Sequence, residues 1–174
     1  MRETRPPCHS RGVISLRFES ELAASPERVW TWITSLRGIS TELSPIMKMT
    51  APRSVETLAD VSVDFGTPLF RSWILLFGVI PIDRSDLTLM SMDVGRGFVE
   101  ESPMLSMTLW RHARTISNRA GKTVLTDELT FEPRFAPRLV EWFIRTTFRH
   151  RHAVVRRTLG TAAPNDGRRH QPRQ

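Results

Sequence analysis

The chain has 174 residues, of which 40% are hydrophobic, and its formal net charge is +7. This length and apolar content suit one domain with a buried core. A single cysteine, Cys8, excludes an internal disulfide and favours a cytoplasmic location. The longest apolar run, 73–82, is interrupted by Gly78 and Pro81 and is about half as long as a transmembrane helix, which excludes a membrane-spanning helix.

The positive charge comes almost entirely from arginine and increases toward the C-terminus. Such a distribution attracts phosphate groups or an anionic membrane surface, or it only decorates the solvent face of a helix and a tail. No aromatic residues are interleaved with the arginines at the spacing typical of nucleic-acid binding, and no nucleic-acid-binding motif is present. A nucleic-acid partner is therefore not expected.

Composition divides the chain into three parts. Residues 1–12 are basic and contain proline but lack the apolar segment of a secretion signal, and we expect a flexible leader there. Residues 161–174 are polar, arginine-containing and unpatterned, which is typical of a disordered basic tail. A single folded domain is predicted over 13–160.

The first elements of this domain are a strand and two short helices. Apolar and polar residues alternate over 13–22, which predicts a half-buried strand. Ser25 and Pro26 provide the cap and first position of a helix that Gly38 is predicted to end. A short second helix or turn over 40–43 and an edge strand over 46–50 follow.

An extra short helix is predicted near 68–77. Thr67 and Pro68 repeat the signal of a cap followed by proline, and Gly78 provides a C-terminal stop. The segment is apolar nearly all round. It is therefore buried as core or cavity wall, or it lies against a membrane or a partner.

The second half of the chain favours strands followed by one long helix. Strand patterns separated by short turns cover 79–82, 86–93, 97–101, 105–118 and 122–132, which predicts an antiparallel meander. A helix of about 23 residues begins at Pro137 and ends at Gly160. Its apolar side includes Leu139, whereas His152 is predicted on its polar side.

Two neighbouring strand segments carry the most informative pattern, WRHAR at 110–114 and TDELTFEP at 126–133. Alternation places two sets of side chains on one face of each strand: Trp110, His112 and Arg114 on the first, and Asp127, Leu129 and Phe131 on the second. If the two faces coincide, polar groups lie in an apolar interior. A carboxylate there must find a cation or change its protonation state.

This order of elements predicts an α+β fold in which a curved antiparallel sheet wraps around the C-terminal helix. The chain resembles the SRPBCC superfamily, the START, polyketide-cyclase and birch-pollen-allergen-like relatives with the helix-grip fold. The resemblance rests on FESELAASPERVW at 18–30, on the two strand segments above and on FRHRH at 148–152, and it spans 13–160. It implies an interior cavity that holds a hydrophobic or amphipathic molecule.

His112 and Asp127 are the candidate catalytic residues. An imidazole positioned by a carboxylate can exchange a proton near neutral pH. In the alternative interpretation, Asp127 pairs with Arg114 while His112 only donates a hydrogen bond, and the group is a static polar patch.

The same geometry places one set of side chains around the expected cavity, and these are the candidate ligand contacts. In the alternative interpretation, each of them is an ordinary residue of a packed core. No metal site is expected, because His150 and His152 point in different directions on a helix, and no cofactor is expected either. The contacts comprise a lid from Trp73 and Phe77, a concave wall from Phe98, Trp110, Arg114, Leu129 and Phe131, and a helix side from Phe143 and Ile144.

Three functions remain open at this point. The first is binding or carriage of a lipid, isoprenoid or polyketide-like molecule between sheet and helix. The second is a metal-free cyclase or dehydratase activity that uses His112 and Asp127. The third is docking on an anionic membrane or another protein through the helix near 68–77 and the basic C-terminal helix.

Overall fold

The computed structural model describes residues 12–52, 55–58 and 64–161. The predictions of a flexible leader and a disordered tail fall outside these ranges, apart from Gly12 and Thr161. Seven strands and three helices occur in the described part: β1 (Ile14–Leu22), α1 (Pro26–Thr34), α2 (Leu36–Leu43), β2 (Met47–Met49), β3 (Pro68–Leu76), β4 (Ile80–Asp93), β5 (Gly97–Glu101), β6 (Met107–Arg119), β7 (Lys122–Pro133) and α3 (Pro137–Leu159).

All seven strands form one antiparallel sheet in the order β1-β7-β6-β5-β4-β3-β2. The connections between neighbours from β2 to β7 follow the chain, and β1 closes the far edge against β7. The sheet curls around α3, so the predicted α+β helix-grip architecture is confirmed. The expected edge strand also forms, as β2.

Helix α3 is the element on which the sheet packs. It runs for 23 residues from Pro137 and has Gly160 as its C-cap, as predicted. Its buried side contributes to two apolar clusters. One cluster joins Val155 and Leu159 to α1, and the other joins Ile144 and Phe148 to β1, β6 and β7. Among the described residues, none of the helices combines the length and the apolar character that a membrane span requires.

The break between the first two helices lies earlier than predicted. Helix α1 ends at Thr34, and Ser35 adopts an extended conformation with φ −75° and ψ 136°. The Ser35 hydroxyl then accepts a hydrogen bond from Gly38 N at 3.0 Å and caps α2. Gly38 therefore lies in the first turn of α2, where a side chain would collide with the carbonyl of Trp32. Gly38 therefore does not end a helix as predicted, and it allows α1 and α2 to approach each other closely.

The extra helix predicted near 68–77 is wrong, because this segment is strand β3. It pairs with β4 over most of its length and with β2 near its end. Pro68 occupies the first residue of the strand, a position that proline tolerates in sheets as well as in helices. In a short apolar run, periodicity alone cannot distinguish a helix from a buried strand. The segment forms a strand because its backbone pairs with the neighbouring strands.

Strand β4 joins two segments that the sequence predicts as separate strands. Its 14 residues pass through Pro81, next to a register shift between Ile74 and Leu75 of β3. A bulge accommodates a residue without an amide hydrogen. Gly97 then begins β5, and a side chain there would collide with the backbone carbonyl of Arg114.

Candidate functional site

A cavity of about 230 Å³ lies between α3 and the concave side of the sheet. Most of its wall is apolar and comes from both halves of the fold. The strands contribute Met47, Met49, Ile74, Ile82, Met107 and Trp110, and α3 contributes Val140, Phe143, Ile144 and Phe148. Several of the strand residues are methionines, whose flexible side chains adapt to guests of different shape.

Polar side chains occupy two parts of this wall, and the smaller part is Asp83 with Ser106, whose hydroxyl donates to it. Glu100 of β5, His112 of β6 and Arg151 of α3 line the main cavity, and the same three line an adjoining cavity of about 80 Å³. Nδ1 of His112 lies 3.7 Å from Oε2 of Glu100, which is too long for a hydrogen bond. Both cavities are therefore lined by one hydrogen-bond acceptor, Glu100, and by two donor groups, His112 and Arg151.

Sheet register explains why these groups meet. Glu100 is directly opposite His112 across β5 and β6, and Arg114 is directly opposite Asp127 across β6 and β7. Cross-strand partners share a face of the sheet. The concave face of three adjacent strands is therefore polar at this level, although the residues around it are apolar.

Asp127 lies at the centre of the buried polar cluster and is fully buried. His112 Nε2 donates to its Oδ1 at 2.8 Å, and His152 Nε2 donates to its Oδ2 at 2.9 Å. Arg114 Nε lies 3.1 Å from Oδ1. One carboxylate thus holds three basic side chains, two from the sheet and one from α3.

Glu42 of α2 is the second fully buried carboxylate of the cluster. Its Oε2 lies 2.8 Å from Arg114 and 3.0 Å from Arg151, and its Oε1 accepts from Trp32 Nε1 at 2.9 Å. Arg114 therefore bridges Glu42 and Asp127. Helix α2 is joined to the sheet and to α3 through charge as well as through packing.

These contacts set the protonation of the cluster. Burial on its own raises the pKa of Asp127, but the charge of Arg114 and the hydrogen bonds from His112 and His152 outweigh it and hold the pKa well below its usual range. Burial on its own lowers the pKa of His112, yet its contacts with Asp127 and Glu100 leave the pKa raised. The geometry favours an imidazolium facing the cavity.

The structure brings together some of the residues that the sequence predicts for the site. His112, Arg114 and Asp127 meet in the buried cluster, but of these three only His112 lines the cavity. The other predicted residues that line a cavity are Trp110, Phe143 and Ile144 in the main one and Phe98 in the smaller one.

Four predicted ligand contacts lie elsewhere. Leu129 and Phe131 are buried in the apolar cluster between the sheet and α3 and do not line the cavity. Trp73 and Phe77 are 47% and 64% exposed. They cannot form a helical lid, because Trp73 belongs to strand β3 and Phe77 to the turn that follows it.

Four residues of the site were missed by the sequence interpretation. Glu42, Arg151 and His152 complete the buried cluster, and Glu100 lines the cavity. His152 is buried instead of lying on the polar side of α3. A signal existed for two of them, because Arg151 and His152 lie at helical spacing between Phe148 and Val155, inside the buried side of the helix.

The described residues contain no group of three or more His, Cys, Asp or Glu side chains arranged to hold a metal ion. His112 can donate a proton or a hydrogen bond, Glu100 can accept one, and Arg151 can pair with a partial negative charge.

Solved structures with the same architecture have little sequence in common with this chain. The aromatase/cyclase Zhui from Streptomyces sp. R1128 is 12% identical, with a TM-score of 0.59 over 84% of this chain and 96% of its own. A START superfamily protein from Mycobacterium smegmatis is 10% identical, with a TM-score of 0.55 over 85% and 97%. Ara h 8.0201 is 9% identical, with a TM-score of 0.59 over 85% and 98%. At such identities the likeness shows the fold alone.

A sequence family matches most of the chain. The family described as "Domain of unknown function (DUF8410)" covers residues 20–159, from the end of β1 to the end of α3. No curated protein sequence matches this chain.

Proposed function

The chain belongs to the DUF8410 family, a domain of unknown function, and we propose that it binds an amphipathic small molecule in the cavity between the sheet and α3. The observation that carries this proposal is a cavity of about 230 Å³ whose mainly apolar wall contains two polar groups, Glu100 with His112 and Arg151, and Asp83 with Ser106. Asp83 already accepts hydrogen bonds from Ser106 and Leu105, so we assign ligand contact to the first group. Ligand sites in proteins commonly combine apolar walls with a few polar groups that fix orientation.

Glu100, His112 and Arg151 together suit a hydroxyl group of the ligand better than a carboxylate group. A hydroxyl can donate to Glu100 and accept from His112 or Arg151 at the same time. A carboxylate would face Glu100, and the two cations beside it already have carboxylate partners in Asp127 and Glu42. We therefore infer a lipid, isoprenoid or polyketide-like guest that ends in an alcohol or phenol.

The first prediction concerns cavity binding. N-phenyl-1-naphthylamine should fluoresce on binding to the wild type, and 1-decanol should displace it at lower concentration than decanoate. Val140→Phe fills space in the cavity wall and should weaken binding about tenfold or more, because the apolar contact area of the guest is lost. Displacement is followed by fluorescence titration.

The matched control is Val154→Phe, which adds the same group to a partly buried position of α3 that does not line the cavity. It should bind the probe like the wild type. Equal weakening in both variants would contradict a site in the cavity. Stronger displacement by decanoate would contradict the inferred hydroxyl and leave the cavity itself supported.

A second candidate function is acid–base chemistry on the bound molecule, with His112 as proton donor. One observation favours it: His112 lines the cavity and donates to the buried carboxylate of Asp127 at 2.8 Å. The raised pKa of His112 favours the imidazolium, the form that can release a proton. The same arrangement serves an enzyme of the cyclase or dehydratase kind.

The second prediction separates binding from chemistry without a known substrate. Native mass spectrometry of gently purified wild type should show a retained small molecule, and His112→Gln should retain a molecule of the same mass if the protein is a binder. If His112→Gln instead retains a species heavier by one water, the dehydratase function is favoured, because the blocked variant keeps its substrate. Val154→Phe is the control for variants that only perturb the fold.

A further inference from the structure

Large apolar side chains are exposed where α3 begins. Phe135, Leu139 and Trp142 are 61%, 63% and 62% exposed, although the sequence pattern assigns Leu139 to the buried side of the helix. Leu139 and Trp142 are three residues apart and lie on the same side of the helix, and Phe135 precedes its first turn. Exposed apolar residues grouped in this way indicate a contact surface.

Arginines share this exposed side of the helix. Arg138 is four residues before Trp142 and Arg149 is seven residues after it, so both lie on the same side of the helix as Trp142, about one turn and two turns away. Neither has an ion pair within the described part of the chain, whereas Arg145 pairs with Glu141 at 2.7 Å. We call the surface formed by Phe135, Arg138, Leu139, Trp142 and Arg149 the α3 face.

The α3 face adjoins the opening of the cavity. Phe135 belongs to both, since it is exposed and also lines the cavity. Val140 and Phe143, which line the cavity, are the direct neighbours of Leu139 and Trp142 in the chain. Ile82 of β4 is exposed at 43% and lines the cavity from the sheet side. An occupant of the α3 face would therefore cover the route into the cavity.

We propose that the α3 face docks on the surface of an anionic lipid bilayer. Tryptophan, with leucine and phenylalanine beside it, suits the boundary between headgroups and acyl chains, and unpaired arginines suit lipid phosphates. The charge decides between occupants, because a neutral apolar partner would leave Arg138 and Arg149 without counter-charges. This docking does not depend on the proposed ligand.

The docking surface differs from the one that the sequence suggests. The apolar segment near 68–77 is strand β3 of the sheet and has no helical face to offer. The basic C-terminal helix remains part of the surface, and the contact lies on its exposed side between Phe135 and Arg149. The exposed residues of this surface are both apolar and cationic. A surface of this kind is not identified from hydropathy alone or from charge alone.

The test is flotation of the full chain with vesicles of phosphatidylcholine alone or of an equimolar mixture with phosphatidylglycerol, at low salt. The wild type should float only with the anionic vesicles. Arg138→Gln with Arg149→Gln should lower the partition coefficient about 30-fold. Leu139→Ser with Trp142→Ser should lower it about tenfold or more, because the buried apolar area is lost.

Two matched double variants test the location. Met90→Ser with Val94→Ser removes exposed apolar groups from β4 and the turn after it, and Arg96→Gln with Arg119→Gln removes one charge from the turn before β5 and one from the last residue of β6. Both should float like the wild type. All variants keep the terminal segments unchanged, so attraction through those segments is common to every sample.

Three outcomes would overturn the proposal. The wild type could fail to float with anionic vesicles, or Arg96→Gln with Arg119→Gln could weaken flotation as much as Arg138→Gln with Arg149→Gln. Light scattering could also show a dimer that Leu139→Ser with Trp142→Ser abolishes, which would assign the α3 face to a second copy of this chain. If the apolar variant does not fold, the arginine variant still decides.

Discussion

At the scale of single residues, the buried cluster is held together by balanced charge. Asp127 and Glu42 are both completely buried, and each contacts the guanidinium of Arg114. Taking such groups out of water costs several kcal/mol per ion, which their attraction offsets only when every charge has a partner. If one member of the cluster is removed, another buried charge loses its partner, and the desolvation cost of that charge is no longer offset. The cluster joins α2, α3 and the sheet through these charges.

The third prediction concerns the pH dependence of this cluster. The pKa of His112 is raised above its ordinary value of 6.5, so its stabilisation is complete below that pH and is lost as the pH rises through the folded-state pKa. The free energy of unfolding of the wild type should therefore exceed that of His112→Gln by more at pH 6 than at pH 9. Urea denaturation at the two pH values measures the difference.

Asp127 behaves in the opposite sense and limits the range of this experiment. Its pKa is lowered below 3.8, so its stabilisation is present above that pH and is lost as the pH falls through the folded-state pKa. Measurements at pH 6 and above keep Asp127 ionised. Phe98→Leu is the control, because it removes the ring that packs edge-on against His112 but no titratable group. A pH-independent difference for His112→Gln would refute the assignment.

At the scale of elements, local signals in the sequence predicted most helices and strands but not β3. Cap residues and spacing located the start of α1 and both ends of α3. The apolar run that became β3 satisfies the rules for a short helix, yet its backbone pairs with β2 and β4. Pairing with strands distant in sequence overrides local propensity, and no pattern inside the segment reveals it.

The fourth prediction tests the caps of the two short helices. Ser35 Oγ accepts from Gly38 N at 3.0 Å and donates to the carbonyl of Trp32 at 2.9 Å, whereas Ser25 Oγ accepts from Arg28 N at 3.4 Å. Ser35→Ala should lower the free energy of unfolding by about 1 kcal/mol. Ser25→Ala should cost less, because its hydrogen bond is longer. Urea denaturation compares the two, and a larger loss for Ser25→Ala would contradict this account.

The position of α2 links these caps to the site. Helix α2 carries Glu42 into the buried cluster and Leu43 to the wall of the cavity. Its N-terminus is set by a single extended residue, Ser35, whose neighbour Leu36 donates its amide to Glu56 at 2.9 Å. A shift of this helix would separate Glu42 from both arginines. Cap stability and site geometry are therefore coupled.

At the scale of the whole molecule, the cavity exists because one helix covers a sheet of seven strands. The helix fills the concave side with large residues at two apolar clusters and leaves the space between β2–β6 and its first half open. The cavity wall reaches the surface at Phe135, which belongs to the α3 face. Ligand binding and membrane docking are thus proposed for adjacent parts of one surface. The cytoplasmic location stays a prediction.

The sequence by itself determined the succession of elements apart from β3 and the joining of two segments in β4, the helix-grip architecture, and the strand faces that carry His112, Arg114 and Asp127. These follow from local periodicity, capping and strand alternation, which act over a few residues. Only the tertiary structure decided that β3 is a strand, that Glu42, Arg151 and His152 enter the cluster, and that Leu129 and Phe131 are core. The reason is physical: burial of a charge and pairing of a strand depend on partners far away in the chain, such as Glu42 and Arg151, which are 109 residues apart.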